Sequence, residues 1–297
     1  MIQALIVIIL LALNVSSMQA KEKKYHETCF LTSHNSYAAW EYGYLYAQQK
    51  WNITHQLEHG VRCLMLDTYD INNQVLLCHD SKLLTEIISL DRDPVPLLTE
   101  LITLKKFLEK NPKEIVTIIL ENYVSDDQLL DSTFAYLNDY ILRPSDWDPV
   151  KKGGWPALSW MQKHNKRVVI FNSISATELT YNEWEHVIEN QYGTLSPQKA
   201  CQERAQSKRY DGYTRYLYLC NYFPTFKINL SDSYALVNSK QLTQYITYMK
   251  RGLGGSCCKN RAPNFIALDF VDEGNGMKWV DFFNKKKNRK LFSTPHC

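Results

Sequence analysis

Gly60-Val61-Arg62-Cys63-Leu64-Met65-Leu66-Asp67-Thr68-Tyr69-Asp70 is an apolar run that ends on carboxylates. A short run of Val, Leu and Met behind a glycine reads as a buried strand. The same profile recurs along the chain. One run ends on Thr32-Ser33-His34-Asn35-Ser36, another on Leu77-Cys78-His79-Asp80, and a third is Glu114-Ile115-Val116-Thr117-Ile118-Ile119-Leu120-Glu121. The spacing predicts strands over 29–34, 61–68, 75–79, 115–121, 167–172, 216–221 and 265–269. Helical patterns lie between most of them. The clearest spans 96–110, where Leu97, Leu98, Leu101, Ile102, Leu104, Phe107 and Leu108 form one face, Pro96 suits the first turn and Asn111-Pro112 stops it. Alternating strand and helix predicts an α/β fold with a parallel, barrel-like sheet. Residues 21–297 read as a single domain.

One connection breaks the alternation. Residues 70–74 are too few for a parallel crossover, so 61–70 and 75–79 are expected to form a hairpin turning at Asn72-Asn73. A tight turn there sets Asp67 opposite Cys78 and Leu66 opposite His79. The period of two then sorts the side chains. If His34 faces the interior, so do Phe30 and Thr32. Met65 and Cys63 go with Asp67, Ile119 and Thr117 with Glu121, Ala267 and Phe265 with Asp269. Each inward row is apolar or small below and polar only at the top, the profile of a filled barrel with a reactive mouth.

Bulk properties narrow the class. The chain has 297 residues, 45% of them apolar, enough for a large core and against global disorder. A net charge of +3 argues against a nucleic-acid binder acting through bulk charge. Met1 to Leu13 is almost wholly apolar and Ser16, Ser17 and Ala20 follow, so residues 1–20 read as a signal peptide and the chain as secreted. No later stretch is long and apolar enough to cross a bilayer, and no apolar tail suggests a lipid anchor. In a secreted chain the eight cysteines read as disulfides rather than zinc ligands. Asn52-Ile53-Thr54 and Asn229-Leu230-Ser231 are glycosylation acceptors.

The strand ends carry the chemistry. His34 and His79 are candidates for a general base and a general acid, and imidazole suits both roles near neutral pH. Structural histidines at strand ends are the plain alternative. Asn35, Asp67 and Glu121 offer hard oxygen donors that suit Ca2+ or Mg2+, or else form a metal-free hydrogen-bonded group. Asp269 can orient His34 through its far nitrogen, or serve as a cap or salt-bridge partner. Asn172 and Asn221 could meet substrate hydroxyls, with turn chemistry the alternative. Trp40, Tyr42, Tyr44, Tyr46 and Trp51 form an aromatic patch after the first strand, available for a ring or a lipid interface, or for core packing.

These motifs resemble the X domain of phosphatidylinositol-specific phospholipase C, in the phospholipase-C-like phosphodiesterases, with secreted plant-type members most similar. The resemblance runs through 32–37, 60–70, 77–79, 111–123, 154–171, 189–193, 204–207 and 264–270. It implies a distorted (β/α)8 barrel. It implies that His34 acts on the attacking hydroxyl, that His79 serves the acid step, and that Asp269 pairs with His34. Calcium-dependent members hold the metal with four residues. Asn35, Asp67 and Glu121 match three of them, and Met65 stands where the fourth, a Glu, is found. The basic residues that hold inositol phosphates have no counterpart here. The expectation is a monomeric phosphodiesterase that meets a membrane surface and cleaves a phospholipid or glycosyl-inositol lipid. The alternatives are a catalytically silent barrel that binds head groups or glycans, and a glycerophosphodiester- or sphingomyelin-cleaving enzyme on the same fold.

Overall fold

Strand β2 (Val61–Ile71) is the spine of the sheet, and everything else is registered against it. The computed structural model describes residues 22–44, 47–78, 94–194, 196–200, 202, 204, 206–207, 216–224, 237–250 and 262–285. The other strands are β1 (Phe30–Ser33), β3 (Gln74–Leu77), β4 (Val95–Pro96), β5 (Val116–Tyr123), β6 (Val168–Asn172), β7 (Tyr181–Asn182), β8 (Val187–Glu189), β9 (Leu217–Asn221) and β10 (Phe265–Leu268). The helices are α1 (Ile53–Glu58), α2 (Leu97–Lys110), α3 (Asp127–Phe134), α4 (Leu158–Lys163), α5 (Glu183–His186), α6 (Pro197–Ala200), α7 (Leu242–Lys250) and α8 (Gly276–Asn284). Among the described residues none of these is long and apolar enough to cross a membrane.

The main path runs β7-β6-β5-β2-β1-β10-β9-β8, with every pair along it parallel. This is the expected barrel, distorted by a seam. Among the described residues no ladder joins β7 to β8; the single turn α5 carries the chain from one to the other. The hairpin forms as its loop length requires. β3 pairs antiparallel with β2, Ile71 opposite Gln74 and Thr68 opposite Leu77. Asn72 and Asn73 both take positive φ, 54° and 61°. Two left-handed residues in a two-residue loop make a type I′ turn, whose twist matches that of the strands. Cys78 N–H then reaches Asp67 C=O at 3.4 Å, so the pairing continues one step further.

The period of two holds. Phe30, Cys63, Ile119, Phe265 and Ala267 join Val169, Phe171, Val187, Leu217 and Leu219 in one interior cluster, with Met65 packed on it. The alternate residues, among them Leu31, Leu64, Leu66, Ile118, Leu120, Ile266 and Leu268, belong to the outer layer beneath the helices. Tyr25 and Trp155 plug the far end, their ring centroids 5.3 Å apart. The Tyr25 hydroxyl meets Thr117 Oγ1 at 2.5 Å.

Two expectations need correction. The aromatic patch is not one surface. Tyr44 is buried in the outer layer, Tyr42 packs against it, and Trp51 stacks on His59. Of these only Trp40 is substantially exposed, edge-on to Phe270 at 4.9 Å, while Tyr46 lies outside the described residues. The cysteines also differ. Cys63 and Cys78 are buried free thiols. Burial pushes both thiols up, with the Asp67 charge adding to the shift at Cys78, which reaches about 12. A thiol inside a barrel filled by apolar side chains behaves as a small hydrophobe. Cys201, Cys257, Cys258 and Cys297, the leader 1–20 and Asn229 lie outside the described residues.

Phe265 is wholly buried at the first layer of the interior, against Phe30, Phe171 and Tyr25. Phe265→Ala should lower stability by about 4 kcal/mol, the usual cost of emptying a buried Phe. Urea denaturation followed by far-UV circular dichroism measures it.

Candidate active site

His34 stands one residue beyond the end of β1, held by its N–H to Leu268 C=O at 3.0 Å. Since β1 and β10 pair in register, Ser33 opposite Leu268, the next rung sets His34 beside Asp269. His34 Nδ1 meets Asp269 Oδ1 at 2.7 Å. Asp269 is buried and the imidazole is 19% exposed. A carboxylate on Nδ1 fixes the tautomer and turns the Nε2 lone pair away from it. Phe223 lies flat on the ring, centroids 3.7 Å apart at 9°, which fixes the ring plane.

Both neighbouring turns are bent into the left-handed region. Asn35 has φ 42° and Phe270 φ 47°. Asn tolerates this; a bulky Phe does not, and holds it only where the surroundings over-determine it. They do here. Phe270 N–H donates to Gln48 C=O at 2.7 Å, and Asn238 Nδ2 donates to the carbonyls of Asp269 and Phe270 at 2.8 and 3.0 Å. Gln49 ties the two turns together. Its buried amide donates to His34 C=O at 2.7 Å and Leu268 C=O at 3.0 Å, and accepts from Val271 N–H at 3.1 Å.

His34 opens onto a cavity whose wall includes Asn35, Met65, Asp67, Glu121, Ser173, Glu183, Glu189 and Arg204. Asp67 and Glu121 are register partners on β2 and β5, so their carboxylates share one face. Tyr37 OH donates to Asp67 Oδ2 at 3.3 Å, and Tyr123 OH to Glu121 Oε1. Burial, and then the Asp67 charge, push the Tyr69 phenol up to about 12. These phenols therefore stay protonated as donors. Asn35, Asp67 and Glu121 are thus brought together. They offer oxygen alone, which fits Ca2+ or Mg2+ and not zinc. The set is sparse: among the described residues no three His, Cys, Asp or Glu side chains converge as a metal cluster, and Met65 lines the same wall. His79 and Asp80 lie outside the described residues.

The opposite wall went unassigned in the sequence. Arg204 Nη1 donates to Glu189 Oε2 at 2.8 Å, and Asn221 Nδ2 to the same oxygen at 2.9 Å. Arg204 also lies over the rings of Tyr192 and Trp184, 5.0 and 5.2 Å from their centroids. Burial alone would lower the guanidinium pKa, but the Glu189 charge and hydrogen bond outweigh it and raise it. Asn221 therefore orients Glu189, while Asn172 Oδ1 accepts from Asn122 Nδ2 and Ile174 N–H as part of a turn. The 189–193 and 204–207 motifs were visible, but without β8 in view they had no place in the barrel.

The family model of the PI-PLC X domain matches residues 21–284. The chain belongs to this family. A PI-PLC X domain-containing protein of Arabidopsis thaliana is 33% identical over 237 residues, 77% of this chain and 52% of that protein. PI-PLC X domain-containing protein 1 of Arthroderma benhamiae is 26% identical over 274 residues, covering 86% and 84%. An uncharacterized secreted protein of the same fungus is 23% identical over 254 residues, 78% of this chain and 54% of that one. The chain thus spans about half the length of two of these relatives. Its fold is similar to that of phosphatidylinositol-specific phospholipase C from Listeria monocytogenes, with TM-score 0.59 at 15% identity over 90% of this chain and 97% of that one. A Staphylococcus aureus phosphatidylinositol-specific phospholipase C gives 0.54 at 12% identity, covering 87% and 93%.

Within this PI-PLC X barrel Gln49 is, among the described residues, the one side chain that grips both turns of the histidine–aspartate pair. Gln49→Leu should cost about 3 kcal/mol, because it strands buried carbonyls and an N–H. It should also weaken the low-field proton resonance of His34 Nδ1–H bonded to Asp269. Urea denaturation and proton NMR check both; an unchanged resonance would mean the turns hold without the clamp.

Proposed function

We propose that this chain is a secreted phosphodiesterase of the phospholipase C type, cleaving phosphatidylinositol-like lipids by histidine acid–base catalysis. The observation that carries the reading is the His34–Asp269 pair, aimed into a cavity whose wall holds Asp67 and Glu121. Nε2 of His34, its lone pair free of Asp269, takes the proton of the attacking hydroxyl as that oxygen bonds to phosphorus. Asp269 stabilises the imidazolium that forms. The bond from phosphorus to the lipid oxygen breaks, and that oxygen needs a proton. His79, which lies outside the described residues, supplies it in this reading. The product is a cyclic phosphate if the hydroxyl belongs to the head group, and an open monoester if it belongs to water.

Asn35, Asp67 and Glu121 are proposed to hold Ca2+ or Mg2+, which would neutralise a phosphate oxygen and acidify the attacking hydroxyl. The residues themselves orient: Tyr37 and Tyr123 fix the two carboxylates by donating to them. Secretion belongs to the same reading, supported by the apolar leader of residues 1–20 and by similarity to a fungal protein named as secreted.

His34→Ala and His79→Ala should each lower turnover by about 10²–10⁴-fold, the usual worth of a positioned acid or base. The assay is mass spectrometry of products from mixed phospholipid vesicles. Diacylglycerol with a phosphorylated inositol head group is expected. Released choline phosphate or free glycerol points to a different phosphodiester substrate, and no product from any lipid points to a silent barrel.

Metal dependence has its own test. Two carboxylates and an amide make a weak site, since affinity follows ligand charge and rigidity. Chelator should abolish activity, and Met65→Glu should tighten Ca2+ binding in calorimetry. Full turnover in excess chelator would remove the ion from the mechanism.

A further inference from the structure

The outward side of α1 carries two histidines that no step above uses. His55 lies in the helix and His59 caps its end. His59 N–H still bonds to His55 C=O at 3.0 Å, so the two stand one α-helical turn apart, the spacing that puts side chains on one face. Ile53, Gln56 and Leu57 are buried. The His55 side chain is 46% exposed, and His59 is exposed. Neither lines the cavity of His34.

Both rings are anchored through the same nitrogen. His55 Nδ1 meets the two carboxylate oxygens of Glu41 at 2.7 and 3.0 Å, and one of those oxygens also accepts from Asn52 N–H at 2.8 Å. His59 Nδ1 donates to His55 C=O at 2.8 Å. A carbonyl has no proton to give, so Nδ1 of His59 carries the ring proton, and a carboxylate acceptor asks the same of His55. In the neutral ring the lone pair then stands on Nε2. Among the described residues neither Nε2 has a hydrogen-bond partner. The His59 ring is also held in plane: Trp51 stacks on it, centroids 4.2 Å apart at 28°, and Gln56 Nε2 donates to Trp51 C=O at 2.6 Å.

His164 shows the same cap without a second ring. At the end of α4 its Nδ1 bonds to Trp160 C=O at 2.8 Å and its ring stacks on Trp160 at 4.3 Å. A helix cap is complete in that form. In α1 a second imidazole stands where α4 has Trp160, and a carboxylate holds its Nδ1, the outer partner that metal-bound histidines use. Two fixed imidazole lone pairs on one helical face suit a borderline divalent ion, whereas Ca2+ and Mg2+ prefer oxygen. Zinc hydrolases with this spacing add a third protein ligand. Among the described residues no third side chain converges, so water completes the coordination. We propose that His55 and His59 form a two-histidine site, through Nε2, for Zn2+ or another ion of its class, with Glu41 orienting His55. The site lies outside the cavity and is independent of the phosphodiesterase reading.

The test uses the untagged mature chain in excess Ca2+, which fills oxygen sites. Zn2+ is titrated in calorimetry and in two-bond proton–nitrogen NMR spectra of the histidine rings. In wild type the Nε2 resonances of His55 and His59 should move together at one Zn2+ concentration while that of His164 stays still. His55→Gln and His59→Gln should each weaken this binding at least about tenfold, because the second imidazole binds in an intramolecular step. His164→Gln should leave it unchanged. Wild-type rings that do not move overturn the proposal whether or not the variants fold. So do Nε2 resonances that move at different Zn2+ concentrations, either α1 variant with wild-type affinity, or a His164→Gln protein as impaired as they are. Lipid turnover enters none of these readouts, so failure of the catalytic reading leaves them standing.

Discussion

A parallel barrel admits one file of side chains from each strand, and that geometric limit decides where polar chemistry can stand. Here the lower layers are filled by Phe30, Cys63, Ile119, Phe171 and Phe265, which leave no room for water or charge. Charged groups enter the files only at the last rung, and below it the polar groups are hydroxyls such as that of Thr117, bonded to Tyr25. The alignment of those rungs then makes the site. Ser33 opposite Leu268 puts His34 beside Asp269, and the β2–β5 register puts Asp67 beside Glu121. A slip of one residue in either ladder would turn one member of each pair into the helical layer. The packing of the dry interior and the positioning of the reactive groups are therefore a single constraint.

Register brings the pairs together but does not aim them. Aiming is done by two left-handed residues, Asn35 and Phe270, and for a bulky Phe that conformation costs about 1–3 kcal/mol. Gln49 and Asn238, both wholly buried, offset it with hydrogen bonds to carbonyls on both sides of the strained turn. Phe223 adds a flat wall against the imidazole. Local conformational preference at Phe270 is overruled by tertiary hydrogen bonding, which is why the strain is found beside Asp269 and not in an ordinary loop.

This division explains what the sequence discloses. The long strands are legible because Cys63 to Leu66 and Ile118 to Leu120 are apolar on both faces and run into Asp67 and Glu121. The hairpin follows from the short 70–74 connection and the two asparagines, and its register, which a bulge would shift by one, is fixed by the β2–β3 ladder. Strands β4, β7 and β8 are two or three residues long, too short for any period to register, and with β8 goes the placement of Glu183, Glu189 and Arg204. Gln49 sits in an irregular segment where nothing in its neighbours marks a clamp. The aromatic cluster from Trp40 to Trp51 leaves surface and core roles open for a related reason. Density of rings along the chain says nothing about which way each one turns, and Tyr44 turns inward while Trp40 stays out.

The charges around the cavity set the terms for any ligand. Among the described residues of the wall, Asp67, Glu121 and Glu189 bring acidic side chains, and the one guanidinium, that of Arg204, is already bonded to Glu189. A phosphodiester brings a further negative charge. Two like charges about 4 Å apart at an effective dielectric near 20 repel by about 4 kcal/mol, more than one hydrogen bond returns. Two devices in the wall lower that barrier. Burial and the neighbouring Glu189 charge raise the Glu183 carboxyl above its ordinary range, which disfavours a further negative charge there. Asn35 takes the place of a further carboxylate with a neutral oxygen. The charge that remains is concentrated on Asp67 and Glu121, adjacent on one face. Charge in the wall is therefore uneven, unopposed where Asp67 adjoins Glu121 and offset where Arg204 meets Glu189.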